Sequence, residues 1–290
     1  MQTNIDGDIV AYRCAASVEP SKKLGPVVFT EEDNTRDREI AIARVDTLMR
    51  EILHTTQADT YQCFVSGHSN FRYRVYPEYK GNRTETIDPR FRADCKHFLI
   101  QEWNAIASHG CEADDRLGMN QTADSVCASI DKDLLMIPGW HYNWVKDERT
   151  YTTPLDGIRF MYKQMLIGDK SDNIFGVIGL GPVKSAKLID HLEDENDMVQ
   201  VVYDLYDKDA KRFVQNATCL WILQEEGVTW AHRAQKQLIL NDQLRHAVEV
   251  LLSSTKFSME DTSTEPITNP QKMCGIPVVG ELTESMEIKM

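Results

Sequence analysis

No stretch of this 290-residue chain is apolar for long enough to cross a bilayer, and the opening MQTNIDGD has neither the basic nor the apolar region of a secretory signal. Both absences lead to the expectation of a cytoplasmic protein. The seven cysteines are odd in number, widely spaced and never arranged as C-x-x-C, so they read as reduced, mostly structural thiols. A surplus of positive charge is missing as well: 32 Lys and Arg stand against 45 Asp and Glu, a net charge of −13. That argues against a broad phosphate-binding surface, but a local basic patch on an acidic chain still binds phosphate.

What the chain has in abundance is acid in four separated clusters. Asp6 and Asp8 lie in IDGD, Glu112, Asp114 and Asp115 in CEADD, Asp131 and Asp133 in IDKD, and Asp169 and Asp172 in GDKSDN. Each cluster alone has a plainer reading. Asp-Gly is common in turns, acids in a first helical turn meet the helix dipole, and a Gly-containing loop holds solvated carboxylates. Spacing adds something: Glu112 and Asp115 are three apart and share a helix face, and Asp131 and Asp133 alternate by two on one side of an extended end. Gathering so many like charges is costly unless cations compensate them. With no His or Cys at ligand spacing, the expected ions are hard and oxygen-loving, magnesium or manganese and not zinc.

Residues 1–165 alternate short β-like runs with helical stretches, the pattern of an α/β fold with a mainly parallel sheet. Strands are expected just before Asp6 and at 60–67, 104–108, 125–130 and 141–145, with helices near 41–53 and 98–106. The acids follow these strands, so they collect at the carboxyl edge of the sheet, where open α/β sheets bind ligands. The chain reads as mostly helical over 166–255, and the polar, aperiodic stretch 256–290 is expected to be a poorly ordered tail.

Two further segments carry chemistry. NFRYRVYPEYKGNR interleaves Phe71, Tyr73, Tyr76 and Tyr79 with Arg72, Arg74, Lys80 and Arg83, which suits bases and phosphates, or else an amphipathic surface. GVIGLGPVKSAKLI sets Gly179 and Gly181 in a tight turn before a helix with Lys184 and Lys187, where backbone can approach a phosphate or a monovalent cation.

In this order the motifs resemble the flap endonuclease and 5′-3′ exonuclease family, in particular the stand-alone bacteriophage exonucleases and the 5′-nuclease domain of bacterial DNA polymerase I. IDGD, FRYRVYPEYKGNR, CEADD, IDKDLLMIPG and GDKSDNIFGVIGLGPVKSAKLI carry the likeness, over residues 4–190. The resemblance implies a PIN-like α/β sheet flanked by helices, a helical arch near 72–96 that passes a 5′ single strand, and a helix-three-turn-helix that grips duplex, with a bound potassium ion. It implies two magnesium or manganese ions on Asp6, Glu112, Asp114, Asp115, Asp131, Asp133, Asp169 and Asp172. Tyr79, Lys80 and Arg83 would stand near the scissile phosphate, and Arg72, Arg74, Gly179, Gly181, Lys184 and Lys187 on DNA. The implied partners are DNA with 5′ ends, flaps or nicks, RNA–DNA hybrids and replication proteins, in the host cytoplasm for a phage-encoded chain, with no membrane. One departure stands out: many family members carry an Asp just after the second strand, where this chain has Ser66 and Gly67. The competing readings are a DNA-junction binding protein without chemistry and a PIN-type ribonuclease. Four retained acidic clusters weaken the first, because they repel phosphate. The arch segment and the glycine turn have no evident use in the second.

Overall fold

The first strand, QTNID, is polar in composition and yet buried, because its side chains find partners inside. Thr3 donates to Thr56 Oγ1 at 2.8 Å and Asn4 to the Asn120 carbonyl at 2.9 Å, which lets β1 (Gln2–Asp6) occupy the middle of a sheet. The computed structural model describes residues 1–20, 28–85, 88–255 and 267–268. Around β1 lie β2 (Thr60–Ser66), β3 (Ile106–Ser108), β4 (Ser125–Ala128) and β5 (Gly139–Asn143), all parallel, in the order β3-β2-β1-β4-β5. The register pairs Asp6 with Phe64, Ile5 with Ala128 and Ser66 with Ser108, so the strands finish along one edge.

The expected strand at 141–145 begins two residues earlier, and it turns back through β6 (Glu148–Thr152), which pairs antiparallel with β5. ERTYT escapes a reading by hydrophobic alternation because it is an edge strand with four of its five residues exposed. Residues 267–268 pair antiparallel with Thr60 and Tyr61 on β2; the rest of the expected tail lies outside the described residues.

Helices cover both faces. On one, α1 (Gly7–Ala16), α2 (Glu31–Thr56) and α4 (Arg92–Glu102) pack Val10, Val45, Met49, Ile52 and Leu99 onto the sheet. On the other, α5 (Ala113–Asn120) and α6 (Pro154–Ile167) share one cluster with α7 (Pro182–Ile189), α8 (Glu195–Leu205), α9 (Ala210–Leu220), α10 (Trp230–Gln237) and α11 (Asp242–Ser254). The expected boundary at 165 falls inside α6, and Phe64 and Leu117 lie in the same core as Phe213 and Trp230. Among the described residues no helix is long and apolar enough to cross a membrane.

Among its described residues the segment 72–96 holds the short α3 (Arg72–Val75), a 3-10 turn at Gly81–Glu85 and the start of α4, and Val75, Tyr79 and Cys95 are buried. The expected arch takes in residues 86–87, which lie outside the described residues.

Candidate metal centre and nucleic-acid interface

Asp6 ends β1 and caps α1: its Oδ1 accepts from Ile9 N at 3.0 Å and its Oδ2 from Ser129 Oγ at 2.6 Å. Ser129 also accepts from Asp131 N at 3.0 Å, and Asp131 Oδ1 from Asp133 N at 2.9 Å. One serine at the end of β4 therefore couples two acidic clusters, a role that only the S-x-D spacing hinted at.

The electrostatics show how close the clusters come. Burial pushes the Asp6 carboxyl up to about 7, with Asp8 and Asp131 adding to the rise, although hydrogen bonds from Ser129 and Ile9 oppose it. Asp114 is driven well above the usual range by burial and by the charges of Asp6, Glu112 and Asp131. Burial likewise raises Asp133 to about 7, helped by Asp131, Asp169 and Asp172. Acids from all four segments thus feel one another at the carboxyl edge of the sheet. Asp133 Oδ1 is buried without a hydrogen-bond partner, an acceptor suited to a cation. Among the described residues no three of these side chains form a ready-made coordination shell.

Cations from 72–83 hold part of the acid. The Lys80 ammonium lies on Glu112 Oε1 and 3.7 Å from Asp172 Oδ1, and Arg83 reaches Asp172 Oδ1 at 2.7 Å. The Tyr79 hydroxyl, on a buried ring, lies 2.6 Å from Asp172 Oδ2 and 3.0 Å from Glu112 Oε2. Burial alone would raise Glu112, but Lys80 and Arg72 bring it below the usual carboxylate range. The segment is tied to the 168–175 loop: Lys80 N donates to Asp172 O at 3.0 Å, Arg83 Nε to Ser171 O at 3.0 Å and Asn173 Nδ2 to Glu78 O at 2.9 Å. Lys80 takes a left-handed φ of 56°, a strained conformation that aims its side chain into the acids.

Two sequence expectations change here. Arg72 does not face DNA; it is buried, forms a bidentate pair with Asp115 at 2.6 and 2.8 Å and donates to the Cys219 and Trp221 carbonyls. Asp115 in turn accepts from Glu112 N at 2.9 Å and Leu223 N at 3.0 Å, so four donors fill its oxygens and leave none for a metal. Of the aromatics in this stretch, Phe71 and Tyr79 are buried while Tyr73 is 46% exposed. Arg74 is exposed.

At the position of the departed acid, Ser66 points the right way, since its Oγ accepts from Ala113 N at 2.9 Å beside Glu112 and Asp114. Gly67 does not, because a Cβ there would collide with the Ser108 carbonyl oxygen.

The glycine turn follows a short hairpin, β7 (Gly168–Asp169) with β8 (Ile174–Phe175). Gly176 packs against the end of α6 too tightly for any Cβ. Gly179 is required by its φ of +81°, whereas Gly181 has extended backbone and open space around it, so nothing within the chain demands a glycine there. Lys184 and Lys187 are exposed on α7, and the Lys184 ammonium donates to Gly179 O at 2.9 Å.

The sheet, its two helical layers and the acidic edge define the fold of the 5′-exonucleases and flap endonucleases, and comparison with known proteins agrees. The bacteriophage T5 D15 flap endonuclease, solved as a pseudo-enzyme-product complex with DNA and metal ions, superposes with a TM-score of 0.57 at 14% identity, covering 87% of this chain and 98% of that one. A T5 5′-exonuclease with divalent zinc bound gives 0.57 at 16% identity, covering 88% and 100%. In sequence the chain is 30% identical over 151 residues to DNA polymerase I of Streptococcus pneumoniae serotype 4, covering 43% of this chain and 17% of that protein. It is 30% identical over 148 residues to a 5′-3′ exonuclease of Mycoplasma pneumoniae, covering 41% and 49%. The chain thus spans about a sixth of the polymerase and half of the exonuclease. No protein-family profile matches it. The resemblance read from the motifs to the flap endonuclease and 5′-3′ exonuclease family is borne out.

Proposed function

We propose that the protein is a metal-dependent 5′-3′ exonuclease and 5′ nuclease that hydrolyses DNA phosphodiester bonds to 5′-phosphate products. The observation that carries this reading is the convergence of Asp6, Glu112, Asp114, Asp131, Asp133, Asp169 and Asp172 at one sheet edge, with Asp6 and Asp114 pushed upward by burial and then by neighbouring carboxylates. Such a set fits two magnesium or manganese ions, and the orphaned Asp133 oxygen is an acceptor in want of one. When bound, the ions supply an activated water and stabilise the leaving oxygen.

The residues of the chain do the rest. Ser129 and the turn at 129–133 hold Asp6 and Asp131 in place. Tyr79 ties Glu112 to Asp172 as a positioning residue, and the Arg72–Asp115 pair fixes the start of α5 against the C-terminal helices. Lys80 and Arg83 stand at the acids, where exchange from carboxylate to phosphate lets them stabilise charge on the scissile group. The exposed Lys184 and Lys187, with the open Gly181, take the downstream duplex as a helix-three-turn-helix does. A potassium ion in that turn would have to displace Lys184 from the Gly179 carbonyl. Incubation of end-labelled blunt, nicked and flap DNA and a matched RNA, with magnesium or with chelator, tests the reading. Magnesium-dependent release of 5′-phosphorylated products from DNA is expected. Retention of every DNA substrate with either magnesium or manganese would refute it, and cleavage of RNA alone would favour the ribonuclease.

A further inference from the structure

Away from the acidic edge, α9 and α11 leave between them a cleft of about 500 Å³ that the nuclease reading does not use. Residues four apart on each helix line it: Ala210 and Val214 on α9, and Gln243, Ala247 and Leu251 on α11, with Val75 of α3 beside them. Val75 and Val214 are buried in its floor, whereas Val250 is 51% exposed at its mouth. Around this apolar strip stand Arg74, Lys208, Lys211 and His246, all exposed, and no lining residue is acidic. On a chain of net charge −13 that is a local excess of positive charge. Lys208 Nζ lies 3.8 Å from Asp204 Oδ1, but both side chains are open to solvent, so the pair contributes little and exchanges readily. Among the described residues Lys211 has no ion-pair partner. Lys208 also holds a left-handed φ of 59°, pinned by the Tyr203 hydroxyl, which donates to its carbonyl at 2.9 Å.

The occupant that suits this cleft has apolar side chains on one face and acid on the other. A nucleic-acid strand is a poor match, because no lining residue is aromatic and bases would find nothing to stack on. An amphipathic peptide fits a groove between two helices. The chain carries such a segment itself. Within the polar stretch after residue 255, Leu282, Met286 and Met290 recur every fourth residue, and Glu281, Glu284 and Glu287 every third. On a helix that spacing sets an apolar stripe beside an acidic one. These residues lie outside the described ones. Reach is no obstacle: Ile267 and Thr268 pair with β2, and the twelve residues between Thr268 and Glu281 extend to about 40 Å. We infer that residues 281–290 dock as a helix in the cleft between α9 and α11, with Leu282, Met286 and Met290 on the valines and the three glutamates among Arg74, Lys208 and Lys211. The docking goes beyond the nuclease reading and stands without it.

Hydrogen–deuterium exchange of the full chain, read by mass spectrometry, tests the docking. A segment this short does not hold a helix alone in water, so slow exchange there reports a partner surface. In the wild type the amides of 282–290 should exchange about tenfold or more slowly than in a free peptide of the same sequence. Met286→Asp and Val250→Asp, which alter opposite sides of the contact, should each abolish that protection. Val250 is exposed enough for its variant to keep the wild-type melting temperature. Lys208→Glu with Lys211→Glu should weaken the protection at low salt, and adding Glu284→Lys with Glu287→Lys should restore it, a rescue that a misfolded variant would not give. Exchange of 282–290 at the free-peptide rate in the wild type, or protection that survives Val250→Asp, would overturn the docking. Protection that grows with protein concentration would assign the segment to the cleft of a second copy and overturn docking within one chain. Loss of DNA affinity in Lys208→Glu with Lys211→Glu, with exchange of 282–290 unchanged, would give the cleft to nucleic acid instead.

Discussion

Asp115 and Asp114 stand side by side in CEADD, and their hydrogen-bond partners separate their roles. The first is saturated by Arg72 and two backbone N–H groups; the second keeps a carboxyl that burial, and then its acidic neighbours, push upward. That distinction was not legible in the sequence, where both are acids near a helix start, whereas the clustering itself was, because acids placed after strands collect at one edge. Arg72 was misread for the same reason: composition marks a cation as a phosphate ligand and cannot show that carbonyls of Cys219 and Trp221 close over it. Asp131→Asn or Asp169→Asn should lower turnover by several orders of magnitude while DNA affinity holds or rises, since the loss of negative charge relieves phosphate repulsion. Near-normal turnover of either variant in magnesium would remove that residue from the metal set. At the site of the missing acid, Ser66→Asp should lower the magnesium concentration for half-maximal rate, because Ser66 faces α5. Gly67→Asp should instead depress the melting temperature, as its side chain meets the Ser108 carbonyl. A shared metal titration for wild type and Ser66→Asp would mean that another group supplies the ligand.

The parallel strands and the helical C-terminal half were readable as elements from apolar runs and 3.6-residue periodicity. The β5–β6 hairpin was not, because the signal of an exposed edge strand is weak, and neither was the docking of FRYRVYPEYKGNR on the 168–175 loop, because it runs through backbone groups that no side-chain pattern announces. The Arg72–Asp115 pair is the joint between α3, α5 and the end of α9. Removing one partner with Arg72→Ala should cost about 3–5 kcal/mol, the usual penalty for stranding a buried charge, as read by denaturant unfolding. A loss below 1 kcal/mol would show that the pair does not join those elements. The glycine turn makes opposite predictions for two positions two residues apart. Gly179→Val should strain a φ of +81°, while Gly181→Val meets open space and should leave unfolding unchanged. Gly181→Val with Lys184→Ala should weaken binding to a long downstream duplex and spare slow cleavage of short single strands. An equal loss on both substrates would make the turn a support of the acidic edge instead of a duplex clamp.

Taken as a whole, the molecule holds acids together that would separate if they were free to. Asp6 and Asp133, raised to about 7, bind protons in the folded state that the unfolded chain releases near 4. Between those values the folded state carries more protons, so stability without metal should fall as pH rises from about 4 to about 7, by up to about 1.4 kcal/mol per pH unit for each such carboxyl. Magnesium should reverse the fall at pH 8 by binding the ionised form, seen as a melting temperature that rises with metal concentration. A melting temperature indifferent to magnesium at both ends of that range would mean that the edge holds no ion. Single-turnover hydrolysis of a 5′-labelled duplex, followed across magnesium concentration for wild type and Asp114→Asn, tests the central claim most directly. Release of 5′-phosphorylated product that needs magnesium in the wild type and is lost by several orders of magnitude in the variant is the predicted result. Product release that persists in chelator, or that survives the loss of the Asp114 carboxylate, would contradict it.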